Sequence, residues 1–359
     1  MVPPFPLIDL SGAPRERGRQ YGEAAAERIR RSADIYLTAF GQQRLGTERV
    51  RSLVETLLPI IERFEPLYLE EMRGIAEGAR CPLEHVVVVN ARTELLAQAR
   101  LAAEQDGCTG AVVLPEASGG AVLHAQNWDW RAECAETGVV LRIRPDRGPA
   151  LLTFTEAGGL ARCGMNAAGI GLTANFLGSD RDGKRLGVPL VLLRRRVLES
   201  EHFALAIQAV YATPKWVSNN VMLSHAGGAA LDIESAPDDS FLLQPDAGLL
   251  VHANHFEHAA ALAKLHDTGL ATTPDSAYRA QRVRGLLAPK RGRIGIDDLK
   301  AALFDDFGTP YSVCRPPRPA ASGDNLSASV MMVVMQPGEG WMDICPLPAL
   351  QREFTRYTL

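Results

Sequence analysis

The chain has 359 residues, 46% hydrophobic and 22% charged, which is the composition of a folded globular protein with room for one large core or two smaller ones. A net charge of −4 without any long basic block excludes the electrostatic footprint of a nucleic-acid binder. No apolar run reaches the roughly 18 residues of a membrane span, and Met1-Val-Pro-Pro-Phe5 lacks the features of a signal peptide, so a cytoplasmic location is expected.

The first hundred residues read as helix. Apolar positions at Tyr21, Ala25, Ile29, Ala33, Tyr36 and Phe40 form one stripe at helical spacing, predicting a helix from Pro14 to Phe40. Thr47 is placed to cap a second helix whose stripe runs through Val50, Leu53, Leu57, Ile61 and Phe64 until Pro66 breaks it. A third helix follows Pro66 and a fourth begins at Pro82, where the run Val86 to Val89 fits helix or strand. After about residue 108 the pattern changes to short β-branched runs between turn residues. Thr109 to Leu114, Ala121 to Trp130, Val139 to Arg144, Leu151 to Thr155 and Gly169 to Phe176 predict strands, and Val188 to Tyr211 one or two helices with Arg194 to Arg196 on a solvated face. Further strands are expected at Asn220 to Leu223, Ala230 to Glu234, Phe241 to His252, Ala328 to Met335 and Trp341 to Cys345, with helices at Ser276 to Leu287 and Ile296 to Phe304. Antiparallel strands alternating with blocks of helix predict an α+β layered fold.

Three local patterns invite other chemistry. Gly178-Ser-Asp-Arg-Asp-Gly183-Lys184 has phosphate-loop spacing, but Arg185 stands where a hydroxyl must reach magnesium. Gly169-Ile-Gly171 lies inside a strand pattern and reads as a hairpin, not a dinucleotide fingerprint. His252, His255 and His258 recur every third residue without a nearby Cys or carboxylate pair, so they read as solvated or hydrogen-bonded histidines and no metal is expected. The six cysteines (Cys81, Cys108, Cys134, Cys163, Cys314, Cys345) contain no C-x-x-C pair and are expected as free thiols.

Gln105-Asp106-Gly107-Cys108-Thr109-Gly110 stands where the helical region meets the first strand. A thiol there, preceded by Gly, is set for self-cleavage: Cys108 attacks the Gly107 carbonyl, the acyl group moves from nitrogen to sulfur, and water frees a new N-terminus. Gly107 lacks a Cβ and lets the thiol approach. The released α-amine, with a pKa near 8, then serves as the base, so neither a catalytic His nor a cofactor is required. If the turn after this strand centres on residues 117 and 118, Cys108 pairs with Asn127, and Asp129 lies on the same face where it orients the amine.

Asp106-Gly-Cys-Thr109, Gln126-Asn-Trp-Asp129, Thr155-Glu-Ala-Gly158, Val251-His-Ala-Asn-His255 and Tyr311-Ser-Val-Cys-Arg315, with Asn90-Ala-Arg-Thr-Glu94 upstream, occur in the order seen in the isopenicillin N acyltransferase family, which the chain resembles over nearly its whole length. The resemblance implies a four-layer αββα N-terminal-nucleophile sandwich with an N-terminal helical segment, cut into residues 1–107 and 108–359 that stay associated as one unit. It makes Cys108 the nucleophile, Asp129 the amine-orienting carboxylate, Asn254 an oxyanion-hole donor and Arg315 a charge partner. Asn127, Trp128 and Tyr311 are candidate walls of a substrate pocket. Family members commonly carry Ser or Thr two residues after the nucleophile, whereas this chain has Gly110, so slow or incomplete cleavage is expected. The leading expectation is an amidohydrolase acting on a small N-acyl amide; the alternatives are an acyltransferase using an amine and an acyl donor such as acyl-CoA, and an unprocessed binding protein.

Overall fold

The Pro14 to Phe40 stripe folds as two helices, α1 (Pro14–Ala24) and α2 (Ala26–Gln42), because Ala25 leaves helical geometry. The computed structural model describes residues 2–42, 45–98, 107–320 and 325–359; Gln105 and Asp106 of the segment around Cys108 lie outside the described residues. α3 (Thr47–Phe64) takes Gly46, not Thr47, as its N-cap, and Pro66 opens α4 (Pro66–Ala79). The ambiguous valine run is helical in α5 (Leu83–Asn90), with all four valines buried, and α6 (Arg92–Gln98) follows. α1 and α4 approach so closely that a Cβ on Gly74 would stand 2.0 Å from the Arg15 carbonyl oxygen, which only glycine permits.

The strands in chain order are β1 (Leu7–Ser11), β2 (Gly107–Val113), β3 (Leu123–Arg131), β4 (Gly138–Arg144), β5 (Leu151–Glu156), β6 (Cys163–Asn166), β7 (Ile170–Phe176), β8 (Asn219–His225), β9 (Ala229–Ala236), β10 (Asp239–Leu243), β11 (Leu249–His252), β12 (Arg318–Pro319), β13 (Leu326–Gln336), β14 (Trp341–Pro346) and β15 (Thr355–Thr358). Among the described residues they form two sheets. One runs β1-β4-β5-β6-β7-β8-β9-β10; the other runs β11-β2-β3-β13-β14-β15, with β12 on β13. β1 pairs in parallel with β4, so the N-terminal segment contributes a strand as well as helices.

The predicted strand from Phe241 to His252 is two strands at the edges of different sheets. Pro245 cannot donate to a ladder, and Ala247 and Gly248, with φ of 44° and 76°, turn the chain between them. β1, β6, β12 and β15 escaped the sequence reading because they are only two to five residues long.

α7 (Pro115–Ser118) lies in the β2–β3 connection. α8 (Leu190–Leu198) and α9 (Phe203–Ala212) pack on β6 to β9. α10 (Ala259–Lys264) and α11 (Gly269–Thr272) lead into α12 (Asp275–Leu287), which with α13 (Ile296–Leu303) covers β2, β3, β11 and β13. The two sheets face each other through β2, β3 and β7, giving the expected four-layer αββα sandwich. Arg194 and Arg195 do not lie on a solvated face. Both are buried, and Arg195 donates to both oxygens of Glu71 at 3.2 Å and to Glu199 at 2.7 Å, carboxylates that compensate its burial.

Phosphate-loop spacing at Gly178–Lys184 encloses instead a hydrogen-bonded turn, in which Asp182 accepts from Ser179 and Ser218 and burial raises its carboxyl to about 6. The Gly169 segment is the predicted hairpin, between β6 and β7. All six cysteines are free thiols, and among the described residues no helix is long and apolar enough to cross a membrane.

Candidate active site

β2 begins at Gly107 and runs between β11 and β3 in the interior of its sheet, so Cys108 is fully buried. The register differs by one residue from the sequence expectation: Cys108 faces Trp128, Gly107 faces Asp129 and Thr109 faces Asn127. The cause is α7. Pro115 starts a helical turn that Gly119, at φ 83°, ends, so the connection is longer than a tight hairpin and centres one half-step further on. A one-residue slip exchanges the two faces of a strand. Asp129 therefore shares a face with Gly107 and Thr109, toward α12, whereas the Cys108 thiol points between the sheets.

On the α12 face, carboxylate and guanidinium are wedged against Gly107. A Cβ on Gly107 would stand 2.6 Å from both Asp129 Oδ2 and Arg315 Nη1. Asp129 Oδ1 accepts from Ser329 Oγ at 2.5 Å, while Oδ2 lies 3.1 Å from Arg315 Nε without hydrogen-bond alignment. Arg315 is bonded through Nη2 to Asp275, and its backbone N–H donates to Ser329 Oγ at 2.8 Å. Arg279, one helical turn after Asp275, donates to Asp275 at 2.7 Å, to the Cys108 carbonyl at 2.6 Å, to Thr109 Oγ1 at 2.8 Å and to Asn254 Oδ1 at 2.9 Å.

Two carboxylates and two guanidiniums thus balance in a buried region. Burial alone would raise Asp275, and Arg279 and Arg315 outweigh it, holding its carboxyl below the usual range. Burial acts most strongly on Asp129 and pushes it up against the pull of Arg315 and Arg279. Arg315 is held charged more firmly than usual, since Asp129 and Asp275 outweigh its own burial.

Asn254, following β11, accepts through Oδ1 from the Cys108 N–H at 2.7 Å, and its Nδ2 donates to the Phe176 carbonyl at 3.0 Å. Two donors, from Cys108 and Arg279, converge on Oδ1 and fix the orientation of the amide. Asn254 therefore presents an acceptor to the Cys108 nitrogen, and its Nδ2 is engaged by the Phe176 carbonyl, unlike the oxyanion donor that the resemblance implies.

On the inter-sheet face the thiol meets a residue that the sequence reading missed. Arg162, in the turn from β5 to β6, brings Nη2 to 3.7 Å from Cys108 Sγ and stacks its guanidinium 3.9 Å over the Trp128 ring. Next along this face, Gln126 donates to Ala174 O and Asn175 Oδ1, both at 2.7 Å. His124 is held between Thr173 and Ser224, and burial lowers it to about 3, so it is neutral.

Trp128 lines the thiol's side, but the other two pocket candidates do not. Asn127 faces the opposite way and ties the carbonyls of Leu303 and Val313, at 2.7 and 2.9 Å. Tyr311 is exposed, under the Arg318 guanidinium at 4.4 Å. Of the three histidines, His252 is not solvated: it is buried and bonded to Glu234 at 2.8 Å, and although burial lowers it, Asp232 and Glu234 raise it to about 9. His255 meets Ser276, and His258 caps α10. Among the described residues no His, Cys, Asp and Glu group is arranged to hold a metal. A surface cleft of about 990 Å³, lined by Phe64, Tyr68, Arg196 and Leu205, contains none of the residues around Cys108.

Asp275 and Arg279 also went unread, although acid and base four residues apart at a helix start form a recognisable pair. Arg162 had no such signal, because its role depends on a turn folding over the thiol.

The family model described as "Acyl-coenzyme A:6-aminopenicillanic acid acyl-transferase" matches residues 116–345, a span that includes Asp129, Arg162, Asn254, Asp275, Arg279 and Arg315 and begins after Cys108. The acyl-coenzyme A:6-aminopenicillanic-acid-acyltransferase 40 kDa form of Emericella nidulans is 29% identical over 317 residues, 86% of this chain and 84% of that protein. Among solved structures, a mutant of the conjugated bile acid hydrolase from Clostridium perfringens covers 70% of this chain and 92% of its own, at 13% identity and a TM-score of 0.47. Penicillin V acylase from Agrobacterium tumefaciens covers 70% and 86%, at 15% identity and a TM-score of 0.41. The chain belongs to the acyl-coenzyme A:6-aminopenicillanic acid acyltransferase family.

Proposed function

We propose that the protein cuts itself between Gly107 and Cys108 and then works as an amidohydrolase, with Cys108 taking the acyl group of a small N-acyl amide as a thioester that water resolves. The observation that carries this reading is the clamp on the scissile link. Asn254 holds the Cys108 N–H at 2.7 Å, Arg279 holds the Cys108 carbonyl at 2.6 Å, and Asp129 with Arg315 packs against the bare Cα of Gly107. After cleavage that nitrogen is an amine that already faces an acceptor, Asn254 Oδ1, with the carboxylate of Asp129 close by. The α-amine takes the thiol proton, and Asp129 and Asn254 orient it, which completes a nucleophile, a base and an orienter.

The two products, 1–107 and 108–359, remain one unit in this reading. β1 stays paired with β4, and buried polar links cross between the segments. Arg92 Nε bonds Glu156 at 2.9 Å, Asn90 bonds the backbone of Gly158 and Leu160 at 2.8 and 3.0 Å, and Glu94 accepts from Leu190 N at 2.8 Å at the start of α8. Six free thiols suit the reducing cytoplasm.

A second reading, acyl transfer to an amine from a donor such as acyl-CoA, is favoured by the acyltransferase from Emericella nidulans, which aligns over most of both chains. The test is to incubate the purified protein with a chromogenic N-acyl amide, with and without a competing amine. Hydrolysis predicts free acid in both cases, lost in Cys108→Ala; a dominant N-acyl product with the amine would favour transfer. No turnover of any amide by a fully cut protein would contradict both.

A further inference from the structure

The self-cleaving reading supplies the base only after the cut, since the α-amine of Cys108 is an amide nitrogen in the uncut chain. A neutral thiol is a poor nucleophile, so something else must favour the thiolate beforehand.

The charges around Cys108 indicate what does. From α12 come Asp275 and Arg279, from β3 Asp129, and from the segment before β12 Arg315; these four pair with one another, two against two. The turn between β5 and β6 adds Arg162, which is buried and forms no ion pair with a carboxylate among the described residues. Among the described residues its Nε has no hydrogen-bond partner, and its guanidinium meets the Trp128 ring and the Cys108 sulfur. Burying a guanidinium without a counter-charge is costly, and stacking on an indole offsets only part of that cost. The group placed to supply the missing negative charge is Cys108 itself.

We propose that Arg162 is the counter-ion that holds the Cys108 sulfur as a thiolate in the uncut chain, and so starts self-cleavage before any free amine exists. This inference rests on the self-cleaving reading above. The thiol proton passes to water. Sγ bonds to the Gly107 carbonyl carbon, the C–N bond to Cys108 breaks as the nitrogen takes a proton from water, and a second water hydrolyses the thioester to the Gly107 carboxylate and the free thiol. Arg162 touches the reacting sulfur throughout and is a catalytic residue of processing.

The experiment follows newly made full-length chain, from cell-free synthesis, into buffers of rising pH and measures the cut fraction by intact mass. Wild type is expected to process at a nearly constant rate from about pH 7 to 9, whereas Arg162→Gln slows about tenfold at neutral pH and recovers toward pH 9.5, as a thiol with a pKa of about 8.5 dictates. Arg162→Lys keeps the charge and the flat profile. Arg162→Gln cutting at the wild-type rate with the wild-type profile would overturn the proposal. Where the Gln variant does not fold, an Arg162→Lys profile that rises like that of a free thiol overturns it instead. If wild type never cuts, the self-cleaving reading fails separately, and Arg162 is then judged on the intact chain by thiolate ultraviolet absorbance against Cys108→Ala. Thiolate at neutral pH in wild type, lost in Arg162→Gln, supports the counter-ion role, and its absence from wild type refutes it.

Discussion

Asn254 separates two mechanisms that a motif cannot distinguish. As an oxyanion donor it would act through Nδ2; in the structure Oδ1 receives the Cys108 N–H and Nδ2 is bonded to the Phe176 carbonyl. Asn254→Asp keeps an acceptor at that position beside the Arg279 guanidinium, so self-cleavage is expected to persist, while Asn254→Ala slows it by about a hundredfold, within the range of one lost active-site hydrogen bond. Equal loss in both variants, measured by cleavage half-time, would return Asn254 to the donor role. The glycines give a second contrast. Gly107→Ala forces a Cβ to 2.6 Å from Asp129 and Arg315 and is expected to abolish the cut. At Gly110 a Cβ would meet Met222 and Thr173 at an ordinary 3.5 Å, so Gly110→Ser fits and is expected to cut at least as fast as wild type. The thiol, its glycine and the residue types of Asp129, Asn254 and Arg315 were legible in the sequence, because they sit in short motifs. The face of the strand carrying Asp129 was not, since α7 in the connection shifts the pairing by one.

At the scale of elements, α1 and α4 are locked by glycines on both sides of their contact. Gly74→Ala would drive a Cβ to 2.0 Å from the Arg15 backbone, with no flexible side chain to yield. It is expected to cost about 1–3 kcal/mol, the usual penalty of overpacking, seen as a lower urea midpoint at unchanged slope. Helical periodicity marked both segments as helix, with α1 run together with α2, but carried no trace of that contact, because a pair of small residues leaves no hydrophobic stripe. The Arg194 to Arg196 run illustrates the same limit: charge suggested a solvated face, and it takes Glu71 from α4, together with Glu199, to account for a buried Arg195.

For the molecule as a whole, His252 ties stability to pH. Its folded-state value of about 9 lies above the ordinary 6.5, so its contribution is complete below about pH 6.5 and is lost as pH rises through 9. A shift of that size corresponds to about 3 kcal/mol. Urea unfolding at both ends of this window should show that loss in wild type and a flatter dependence in His252→Gln; equal slopes would deny His252 the role. The layered fold could be read from the alternation of helix and strand, whereas the assignment of β10 and β11 to different sheets could not, since it depends on the turn at Pro245 to Gly248.

Whether Gly107–Cys108 is a self-cleaved bond is decided by the intact mass of the purified protein under native and denaturing conditions. Self-cleavage gives two denatured species with the masses of residues 1–107 and 108–359, a single native particle containing both, and one uncut chain in Cys108→Ala. A persistent full-length wild-type chain, or a Cys108→Ala protein cut at the same bond, would contradict it.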